Sequence, residues 1–516
     1  MITGAQLDSP VDIHDLLHTG LLGHPASVAL VCAETSRTWR ELEDEVENLA
    51  GHYLSMGLRP GDRIASLMPN RTELMVHYLA CFKAGFVATP LNYRYMAPEM
   101  DHALTVSGAA MLVAHVERAQ DLAETVGVDR LPLGVIHYGR ETPGARDLET
   151  LIATPPDRRS ERAVKPSDPA IIFFTSGSTD KPKGVTHSHE TLGWMFASTA
   201  AGFEMTGRDV VLPGSSISHL GSFMWSMSAL ALGAKVLVAR TFDGDEILPM
   251  LRAHRPTVLC MLPAALMALI RDHGARGEDF ASLRLCRGGG DKVPLELDDT
   301  FRELAGIPID EGYGMTELGT ATMNPPSGVI KHGSCGLPLP GFSVSIRDDK
   351  GNELGVGADG NLWVLSRSAT VGYWQRAEAT EDLFADGWLN TGDIMRMDHD
   401  GYLWFRGRKK QIIIHDGSNI SPQEVEDALI EHPAVASAGV VGIHDLTHGE
   451  NVRAYVTTLA GIDIPTAQEL IRFARQRVGY KAPEEIEFLS DMPLNATGKI
   501  DRRKLKEMAQ ERHKAN

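Results

Sequence analysis

Hydrophobic positions up to about residue 165 alternate between helical and strand-like spacing. Apolar residues recur at helical spacing over 39–54, and a strand-like, mainly apolar run follows at 64–68. Further apolar runs of strand length occur at 170–174 and 257–262. Helices that alternate with short buried strands are typical of layered α/β folds. The sequence therefore predicts an α/β architecture, in which the run at 170–174 is a buried strand that feeds a loop.

Beyond residue 335 the pattern changes to short alternating runs bounded by Asp-Gly turns, which predicts β-strands. These runs lie at 341–347, 360–366 and 401–405. A basic, turn-prone joint follows, and the residues after it are numerous enough for a small separate domain. Its predicted elements are a strand at 411–414, a helix at 422–431 and a strand at 434–442. We expect a large domain at 1–409 and a small domain at 410–516.

Composition narrows the range of functions. The formal net charge of -18 argues against nucleic-acid binding, which usually needs a basic face. The five cysteines are scattered and form no CxxC pair, which is typical of reduced thiols in the cytoplasm. The N-terminal stretch contains Asp8, Asp12 and Asp15 but no basic run, so no secretory signal is predicted. We expect a cytoplasmic enzyme, and the sequence leaves open whether it is a monomer or a homodimer.

One uncharged stretch, residues 210–234, has the length of a membrane span. It contains Pro213, His219 and several glycine and serine residues, which suit a buried strand, loop and helix better. We therefore predict that this stretch belongs to the folded core and that the chain has no membrane span.

The segment 175–185 combines clustered hydroxyl groups, two glycines and two lysines directly after a predicted buried strand. Glycine lets backbone N–H groups approach a phosphate, hydroxyl groups donate to its oxygens, and lysine neutralises its charge. A Walker loop is excluded, because the GxxxxGK[ST] order is absent and Val185 follows Lys183 and Gly184. Taken alone, the segment fits either a phosphate-binding loop or an ordinary surface loop.

Three further motifs contain candidate binding or catalytic residues, although each motif has an ordinary structural explanation when taken alone. Tyr313 lies between two glycines, where its ring face can be presented to a flat base, and Glu317 supplies a hard oxygen suited to Mg²⁺. Asp393 follows a glycine and is suited to accept two ribose hydroxyls, although Gly-Asp is also a common turn. Lys499 lies on a glycine-containing loop within a run that equally fits a solvated charged surface.

In this order and at these separations, the four motifs resemble those of the adenylate-forming superfamily, which includes acyl-CoA synthetases, peptide-synthetase adenylation domains and firefly luciferases. The resemblance covers nearly the whole chain and extends to residues 39–42, 407–410 and 416–426. It implies an α/β fold with a large multi-layer N-terminal domain, which has α/β sheets and a β-barrel-like part, and a small mobile α+β C-terminal domain. It also implies ATP-dependent, Mg²⁺-dependent formation of an acyl-AMP and pyrophosphate, followed by acyl transfer to coenzyme A.

The resemblance also implies roles for individual residues. The loop would embrace the β- and γ-phosphates of ATP, Thr316 would bind the α-phosphate, and Glu317 with Thr175 would hold Mg²⁺. The ATP contacts so implied are Thr175, Ser176, Gly177, Ser178, Thr179, Lys183 and Gly184 in the loop, Gly290, Asp291, Tyr313 and Gly314 around the adenine, and Asp393 and Arg408 at the ribose.

By the same resemblance, Lys499 would bridge the substrate carboxylate and the α-phosphate during adenylation. The small domain would then rotate about Lys410 and present the loop around Gly417 for the second half-reaction. Asp180 departs from the pattern, because the family usually has glycine at this place in the phosphate loop.

The class of acid is predicted from the segment after His219, which the resemblance places at the mouth of the acyl pocket. Residues 220–232 contain no acidic side chain that would pair with an ammonium group, which disfavours an α-amino acid. Apolar side chains in this segment and glycines elsewhere favour an aromatic, cyclic or medium-chain acid. The pocket residues so predicted are Leu220, Gly221, Phe223, Gly289, Gly312 and Gly319.

Two alternatives remain open. Some members of the superfamily transfer the acyl group to an amine, and this sequence does not separate an amine acceptor from coenzyme A. The second alternative is a non-catalytic nucleotide-binding protein on the same fold. The presence of both Lys499 and Glu317 argues for catalysis instead.

Overall fold

The computed structural model describes residues 1–33, 35–157, 164–175, 182–289, 292–415, 418–445, 449–459, 461–495 and 498–515. The chain divides into two compact units. The first consists of Met1–Val344 and Val364–Leu389, and the second of Ser345–Trp363 and Asn390–Asn516. The domain boundary at 409/410 stays a prediction, because a compact unit is not by itself a mobile domain.

The first unit contains two sheets whose strands are mainly parallel. Within the described residues the first sheet has seven strands, in the order β14 (Ile309–Asp310), β13 (Leu285–Gly288), β12 (Val258–Met261), β10 (Val210–Gly214), β11 (Lys235–Leu237), β2 (Val28–Cys32) and β3 (Thr35–Thr38). Its neighbours are parallel except β2 and β3. Leu212, Leu259 and Cys286 are fully buried, as expected where both faces of a parallel sheet are covered.

The second sheet positions the candidate phosphate loop. Its seven described strands have the order β20 (Gly372–Tyr373), β9 (Lys183–Ser188), β8 (Pro169–Thr175), β5 (Val87–Pro90), β4 (Arg63–Leu67), β6 (Met111–His115) and β7 (Val135–Tyr138). The strands from β8 to β7 are parallel, whereas β9 is antiparallel to both β8 and β20. The short strand β20 therefore brings a segment from much later in the chain beside the loop.

Three smaller sheets complete the described strands. One has the order β15 (Gly312–Met315), β16 (Gly319–Met323) and β17 (Leu337–Pro338). Another has the order β1 (Ile2–Thr3), β18 (Phe342–Arg347), β19 (Asp359–Ser366), β22 (Trp388–Met397) and β21 (Phe384–Ala385), and β23 (Leu403–Arg408) pairs with β22. The sheet of the second unit has the order β25 (Ser418–Ile420), β24 (Ile413–His415), β27 (Gly449–Thr458) and β26 (Val435–Asp445), and β28 (Glu485–Phe488) pairs with β27.

Helices connect these strands, and the start of α2 shows how the local sequence sets a helix boundary. The Thr38 hydroxyl accepts from the Glu41 backbone N–H, and the Glu41 carboxylate accepts from the Thr38 backbone N–H. This reciprocal capping satisfies N–H groups that lack a partner within the helix. The helices are α1 (His18–Gly23), α2 (Trp39–Ser55), α3 (Thr72–Ala84), α4 (Ala97–Ser107), α5 (Ala119–Ala123), α6 (Leu148–Ala153), α7 (His189–Gly202), α8 (Leu220–Ala231), α9 (Gly244–His254), α10 (Pro263–Arg271), α11 (Gly277–Phe280), α12 (Leu295–Ala305), α13 (Ala377–Glu381), α14 (Pro422–Ile430), α15 (Ala467–Val478) and α16 (Arg502–Ala515).

The predicted α/β fold is confirmed, and so are the helix at 39–54 and the strands at 170–174 and 257–262. The strand predicted at 411–414 is partly wrong, because Lys409–Gln411 forms a 3₁₀ turn and the strand begins at Ile413. The uncharged stretch 210–234 forms strand β10, a loop and helix α8, as predicted. Among the described residues, no helix combines the length and the apolar character that crossing a bilayer requires.

Candidate functional site

The hydroxyl-rich segment connects two antiparallel strands. Thr175 ends β8 and lies opposite Lys183, which begins β9. The next residue, Gly184, has no room for a side chain, because an added Cβ atom would lie 2.8 Å from Cγ2 of Ile172 and 3.2 Å from Cβ of Trp374. The loop residues Ser176, Gly177, Ser178 and Thr179, together with Asp180, lie outside the described residues.

The second motif forms the hairpin of β15 and β16. The Tyr313 side chain is buried, and its hydroxyl donates to the Met315 sulfur at 3.8 Å. Thr316 and Glu317 follow in the turn, which closes with a 3.0 Å hydrogen bond from the Leu318 backbone N–H to the Met315 carbonyl. The hairpin therefore presents the threonine and the glutamate together at its tip.

The glycines that flank the tyrosine are required by the close approach of the two strands. A Cβ atom on Gly312 would lie 2.3 Å from the Thr322 carbonyl oxygen and 2.6 Å from Nη2 of Arg287. On Gly314, it would lie 2.4 Å from the Gly319 carbonyl oxygen. Any larger residue at either position would displace the opposite strand.

Glu317 is nearly buried, and one short segment of the chain contacts it twice. The Tyr373 hydroxyl donates to Glu317 Oε1 at 2.8 Å, and the Thr370 backbone N–H donates to the Glu317 carbonyl at 2.7 Å. Burial, followed by the charge of Glu317, raises the pKa of Tyr373 above its ordinary range. The phenol therefore stays protonated and acts as a hydrogen-bond donor to the carboxylate.

The same tyrosine also contacts the end of the candidate phosphate loop. Nζ of Lys183 lies 4.7 Å from the centroid of the Tyr373 ring, within the range of a cation–π contact. Lys183 and Glu317 belong to two motifs that the sequence singled out separately. The structure brings both motifs to one aromatic side chain on the same side of the first unit.

His187 contacts the backbone of Thr316, the residue that precedes Glu317. It is fully buried on β9, and its Nε2 lies 2.8 Å from the Thr316 carbonyl oxygen. Burial lowers the pKa of His187 to about 4, so the imidazole is neutral near pH 7 and Nε2–H donates to that carbonyl. Together, His187, Thr370 and Tyr373 fix the backbone and the carboxylate of the Thr316–Glu317 turn.

The predicted acid-binding residues separate into two groups. His219 and Leu220 lie at the start of α8, and Gly221 follows them within its first turn. The six-membered ring of Trp225 lies where Gly221 and Gly289 leave space, because Cβ atoms added there would be 3.5 Å and 3.0 Å from its Cη2 atom.

Phe223 has different surroundings from those glycines. It is fully buried and packs against the rings of Tyr78, Phe82, Phe173 and Phe196. Its side chain therefore contributes to the aromatic core of the first unit.

Two methionine side chains occupy the space beside Gly319, another of the predicted pocket glycines. At Gly319, which has a φ of +78°, an added Cβ atom would lie 2.8 Å from Cγ of Met195 and 3.0 Å from Sδ of Met224. Of the glycines that the sequence linked to a roomy pocket, Gly289 thus permits close packing of Trp225, and Gly319 permits close packing of these methionines.

The two predicted ribose contacts are cross-strand partners in the second unit. Asp393 on β22 lies opposite Arg408 on β23, and Arg408 Nε is 3.2 Å from Asp393 Oδ1. The aspartate is buried, whereas the arginine side chain is about half exposed. A carboxylate oriented by a neighbouring guanidinium group is suited to accept hydrogen bonds from vicinal hydroxyls.

Lys499 lies on a tight reversal of the chain in the second unit. Leu494 and Ile500 pair as an antiparallel bridge, and the Lys499 backbone N–H donates to Asn495 Oδ1 at 3.1 Å. The Lys499 side chain is exposed, and so is that of Lys410. Gly290, Asp291 and Gly417 lie outside the described residues.

Comparisons with known proteins show the family to which the chain belongs. Residues 19–374 match the family model of the AMP-binding enzymes, and residues 424–499 match that of the AMP-binding enzyme C-terminal domain. The chain belongs to the AMP-binding enzyme family. It is 32% identical over 482 residues to a feruloyl-CoA synthase from Amycolatopsis sp. The aligned region covers 92% of this chain and 94% of that protein.

Two solved structures are similar to this AMP-binding enzyme over almost its whole length. ATP-bound MatB from Rhodopseudomonas palustris has a TM-score of 0.89 and 28% identity, and the match covers 97% of this chain and 99% of that one. The amide bond synthetase McbA from Marinactinospora thermotolerans has a TM-score of 0.85 and 29% identity, with coverage of 96% and 99%. The prediction of an AMP-forming acid ligase is confirmed. The prediction that it uses ATP, Mg²⁺ and coenzyme A is confirmed as well.

The chemistry of the turn fits the magnesium ion that such a ligase uses. Mg²⁺ prefers carboxylate and other hard oxygen ligands, and it keeps several waters when it is bound with substrate phosphates. The buried Glu317 carboxylate would supply a ligand of this kind, and Thr175 would supply a hydroxyl at the end of β8.

Sequence reasoning missed two residues of the candidate site. Tyr373 follows a glycine, as Tyr313 does, but one Gly-Tyr pair is too common to identify a site. His187 is one of the 20 histidines of the chain, and nothing in its local pattern separates it from the others. Their positions become meaningful only through strands β9 and β20.

Proposed function

We propose that this AMP-binding enzyme converts an aromatic, cyclic or medium-chain carboxylic acid into its coenzyme A thioester through an acyl-AMP. The observation that carries the proposal is the position of Tyr373. Its ring contacts Lys183 and its hydroxyl contacts Glu317. A phosphate-binding loop and a metal-binding carboxylate must lie together for ATP to be activated, and this arrangement supports that requirement.

In the first half-reaction, a carboxylate oxygen of the acid attacks the α-phosphorus of ATP, and the bond to the β-phosphate breaks to release pyrophosphate. Lys183 and the loop from Thr175 would bind the phosphates, while Thr316 would contact the α-phosphate. Mg²⁺ held by Glu317 and Thr175 would screen the negative charge of the phosphates. Lys499 would neutralise the charge that develops as the two anions approach, which is the point at which a fixed cation stabilises most.

The adenosine part would be held by residues whose local geometry suits it. Tyr313, anchored between Gly312 and Gly314, would stack on the adenine ring. Asp393, oriented by Arg408, would accept the ribose hydroxyls. Gly290 and Asp291 remain proposed adenine contacts on the family pattern alone.

In the second half-reaction, the sulfur of coenzyme A attacks the acyl carbonyl carbon, and the bond to AMP breaks. The thiol proton is lost to solvent, and AMP leaves as its anion. The rotation about Lys410 and the role of the loop at Gly417 remain proposals from the family pattern.

The acid class rests on the surroundings of Trp225. The indole is 6% exposed and lies against Gly221 and Gly289. Its Nε1 has no hydrogen-bond partner among the described residues. An acid with a flat ring and an oxygen substituent would pack against the indole and accept this hydrogen bond. The feruloyl-CoA synthase relative, which is named for an acid of this kind, agrees with that choice.

An amide-forming ligase is the second candidate, favoured by the likeness to the amide bond synthetase McbA. The two candidates share the adenylation half-reaction and differ only in the nucleophile. Thiol and amine acceptors give products of different mass, so the product itself distinguishes them.

The test is a pyrophosphate-release screen with ATP, Mg²⁺ and aromatic, fatty or bicyclic acids, followed by mass spectrometry with coenzyme A or free amines. We expect acid-dependent pyrophosphate release and an acyl-CoA product. The absence of release with every acid would overturn adenylation, and a strict preference for acetate would overturn the acid class. An amide without a thioester would establish the second candidate.

We also infer a cytoplasmic location. The support is chemical: Cys32, Cys81, Cys260 and Cys286 are buried free thiols, and Cys335 is a free thiol that is partly exposed. Unpaired cysteines are usual where the surroundings are reducing.

Size-exclusion chromatography with light scattering would decide between a monomer and a homodimer.

A further inference from the structure

The segment from Thr370 to Trp374 is bound along its length to the candidate ATP site of the first unit. Backbone hydrogen bonds join Val371 to the Thr186 carbonyl at 3.0 Å and Trp374 to the Gly184 carbonyl at 2.7 Å. The Tyr373 backbone N–H donates to the Thr380 hydroxyl at 2.9 Å. The tyrosine is therefore anchored to the strand that leaves the phosphate loop, with its orientation determined by these contacts.

We propose that Tyr373 is a positioning residue, which orients the Glu317 carboxylate towards magnesium and keeps the Lys183 ammonium apart from that carboxylate. This inference rests on the proposed function. No family motif that the sequence singled out contains Tyr373, and it touches neither of the reacting groups. Its effect on the reaction would pass through the two charged side chains that it contacts.

The hydroxyl accounts for the first part of this role. It donates to Oε1 of Glu317 at 2.8 Å, while Thr370 holds the backbone of the same residue. The side-chain contact restrains one carboxylate oxygen and the backbone contact restrains the main chain of the same residue, so together they limit the orientations open to the carboxylate. Partners of this kind orient a metal ligand, and their removal typically costs 10–100-fold in metal affinity or activity.

The ring accounts for the second part. Lys183 and Glu317 carry opposite charges and approach the same tyrosine, yet they form no ion pair with each other within the described part of the chain. The ammonium lies over the ring face and the carboxylate lies at the phenol oxygen. A direct ion pair would neutralise both groups before ATP and magnesium arrive. The aromatic ring stabilises the cation without neutralising the anion.

Two substitutions separate these parts. Tyr373→Phe keeps the ring over which Lys183 lies and removes only the hydroxyl, so we expect weaker metal binding with an ordinary KM for ATP. Tyr373→Leu removes both contacts, so we expect the same metal defect and, in addition, a KM for ATP raised by about 10-fold, because a Lys183–Glu317 ion pair can then form.

The chain offers a matched control. The Tyr93 hydroxyl donates to a carboxylate oxygen of Glu117 at 2.8 Å, the same distance as in the Tyr373–Glu317 pair. Tyr93 is partly exposed, and neither Tyr93 nor Glu117 is among the residues placed at the site. Tyr93→Phe therefore removes an equivalent hydrogen bond and should leave metal binding unchanged.

The primary measurement is the dissociation constant of Mn²⁺, which serves as the metal probe, in the presence of a non-hydrolysable ATP analogue. Electron paramagnetic resonance detects the binding of Mn²⁺. We expect Tyr373→Phe to raise this constant by about 10–100-fold. The magnesium concentration for half-maximal pyrophosphate release should rise by a similar factor. Glu317→Gln should show the same defect, and adding Tyr373→Phe to it should change little further, because the tyrosine acts through the glutamate.

The outcomes separate this inference from the proposed function. A wild-type enzyme that releases no pyrophosphate with any acid would overturn the function, while the Mn²⁺ measurement would still report on Tyr373. An active wild type with equal Mn²⁺ binding in Tyr373→Phe and Tyr93→Phe would overturn the inference alone. Additive effects of Tyr373→Phe and Glu317→Gln would also overturn it, and so would loss of the folded state in Tyr373→Phe, which would assign the tyrosine to stability.

Discussion

The carboxylate of Glu426 in α14 forms an ion pair with Arg502, the first residue of α16. Glu426 is only 2% exposed, and it also accepts from the Val440 backbone N–H at 2.7 Å. Burial raises the pKa of Glu426 to about 7, and the charge of Arg502 opposes this shift. Since Arg502 follows closely after Lys499, the pair fixes one end of the segment that contains the proposed catalytic lysine.

Arg502→Met should therefore destabilise the second unit. Above the pKa of Glu426, the carboxylate would remain buried without its cation, which costs about 3–5 kcal/mol. Below that pKa the Glu426 carboxyl group is protonated and neutral. The loss of unfolding free energy caused by Arg502→Met should therefore become smaller as the pH falls from 8 to 6. Hydrogen exchange in strand β26, which contains Val440, measures the loss. Arg503→Met is the control, because Arg503 is an exposed neighbour with a longer ion pair to Glu507, and equal effects of the two substitutions would contradict the prediction.

Lys499→Ala should separate the two half-reactions. Pyrophosphate release should fall by about 10²–10³-fold or more, because a fixed cation is lost where charge develops. Thioester formation from supplied acyl-AMP should be largely retained, since that step no longer joins two anions. Lys506→Ala removes another exposed lysine from the same unit and should leave both steps unchanged. Equal losses in both steps for Lys499→Ala would argue against its assigned role.

Trp225→Ala should change which acids are accepted. The indole lies against Gly221 and Gly289, so its removal opens space between them. We expect kcat/KM for a bulky bicyclic acid to rise relative to a single-ring acid by about 10-fold, the scale of a change in apolar contacts within a pocket. Phe223 lies on the same helix but packs in the aromatic core, so Phe223→Leu should leave this ratio unchanged. A ratio that stays constant in Trp225→Ala would place the acid elsewhere.

The stability of the first unit should depend on pH through His77 in α3. This residue is fully buried, with its Nδ1 at 2.9 Å from the Tyr53 hydroxyl, and burial lowers its pKa to about 3. Between pH 6.5 and pH 3 the unfolded chain binds a proton at this position that the folded chain does not. The contribution of His77 is thus fully present above pH 6.5 and is lost as the pH falls.

Comparison with His77→Leu isolates this contribution. The free energy of unfolding of the wild type, minus that of the variant, should fall by about 2 kcal/mol between pH 7 and pH 5. Urea unfolding at the two pH values measures this difference. A difference that is the same at both pH values would show that the buried imidazole takes up its proton as readily as a histidine in the unfolded chain.

Much of the local structure could be predicted because it depends on neighbours in the chain. The helix from Trp39 begins where Thr38 and Glu41 cap each other, and both residues lie within one turn. The run at 170–174 forms strand β8, and its apolar side chains are buried as predicted. The boundary around Lys410 was harder to predict, because a 3₁₀ turn and a strand have similar composition in a short basic segment.

The sequence alone determined the family and the order of the chemical groups along the chain: the hydroxyl-rich loop, Tyr313 with Glu317, Asp393 and Lys499. It did so because each motif is a run of adjacent residues. Only the tertiary structure decided that Tyr373 meets both Lys183 and Glu317, that Arg502 meets Glu426, and that Trp225 rather than Phe223 lies against Gly289. Such pairs depend on strand order, register and the direction in which a helix faces, and no local pattern of residues specifies which distant segments will pack together.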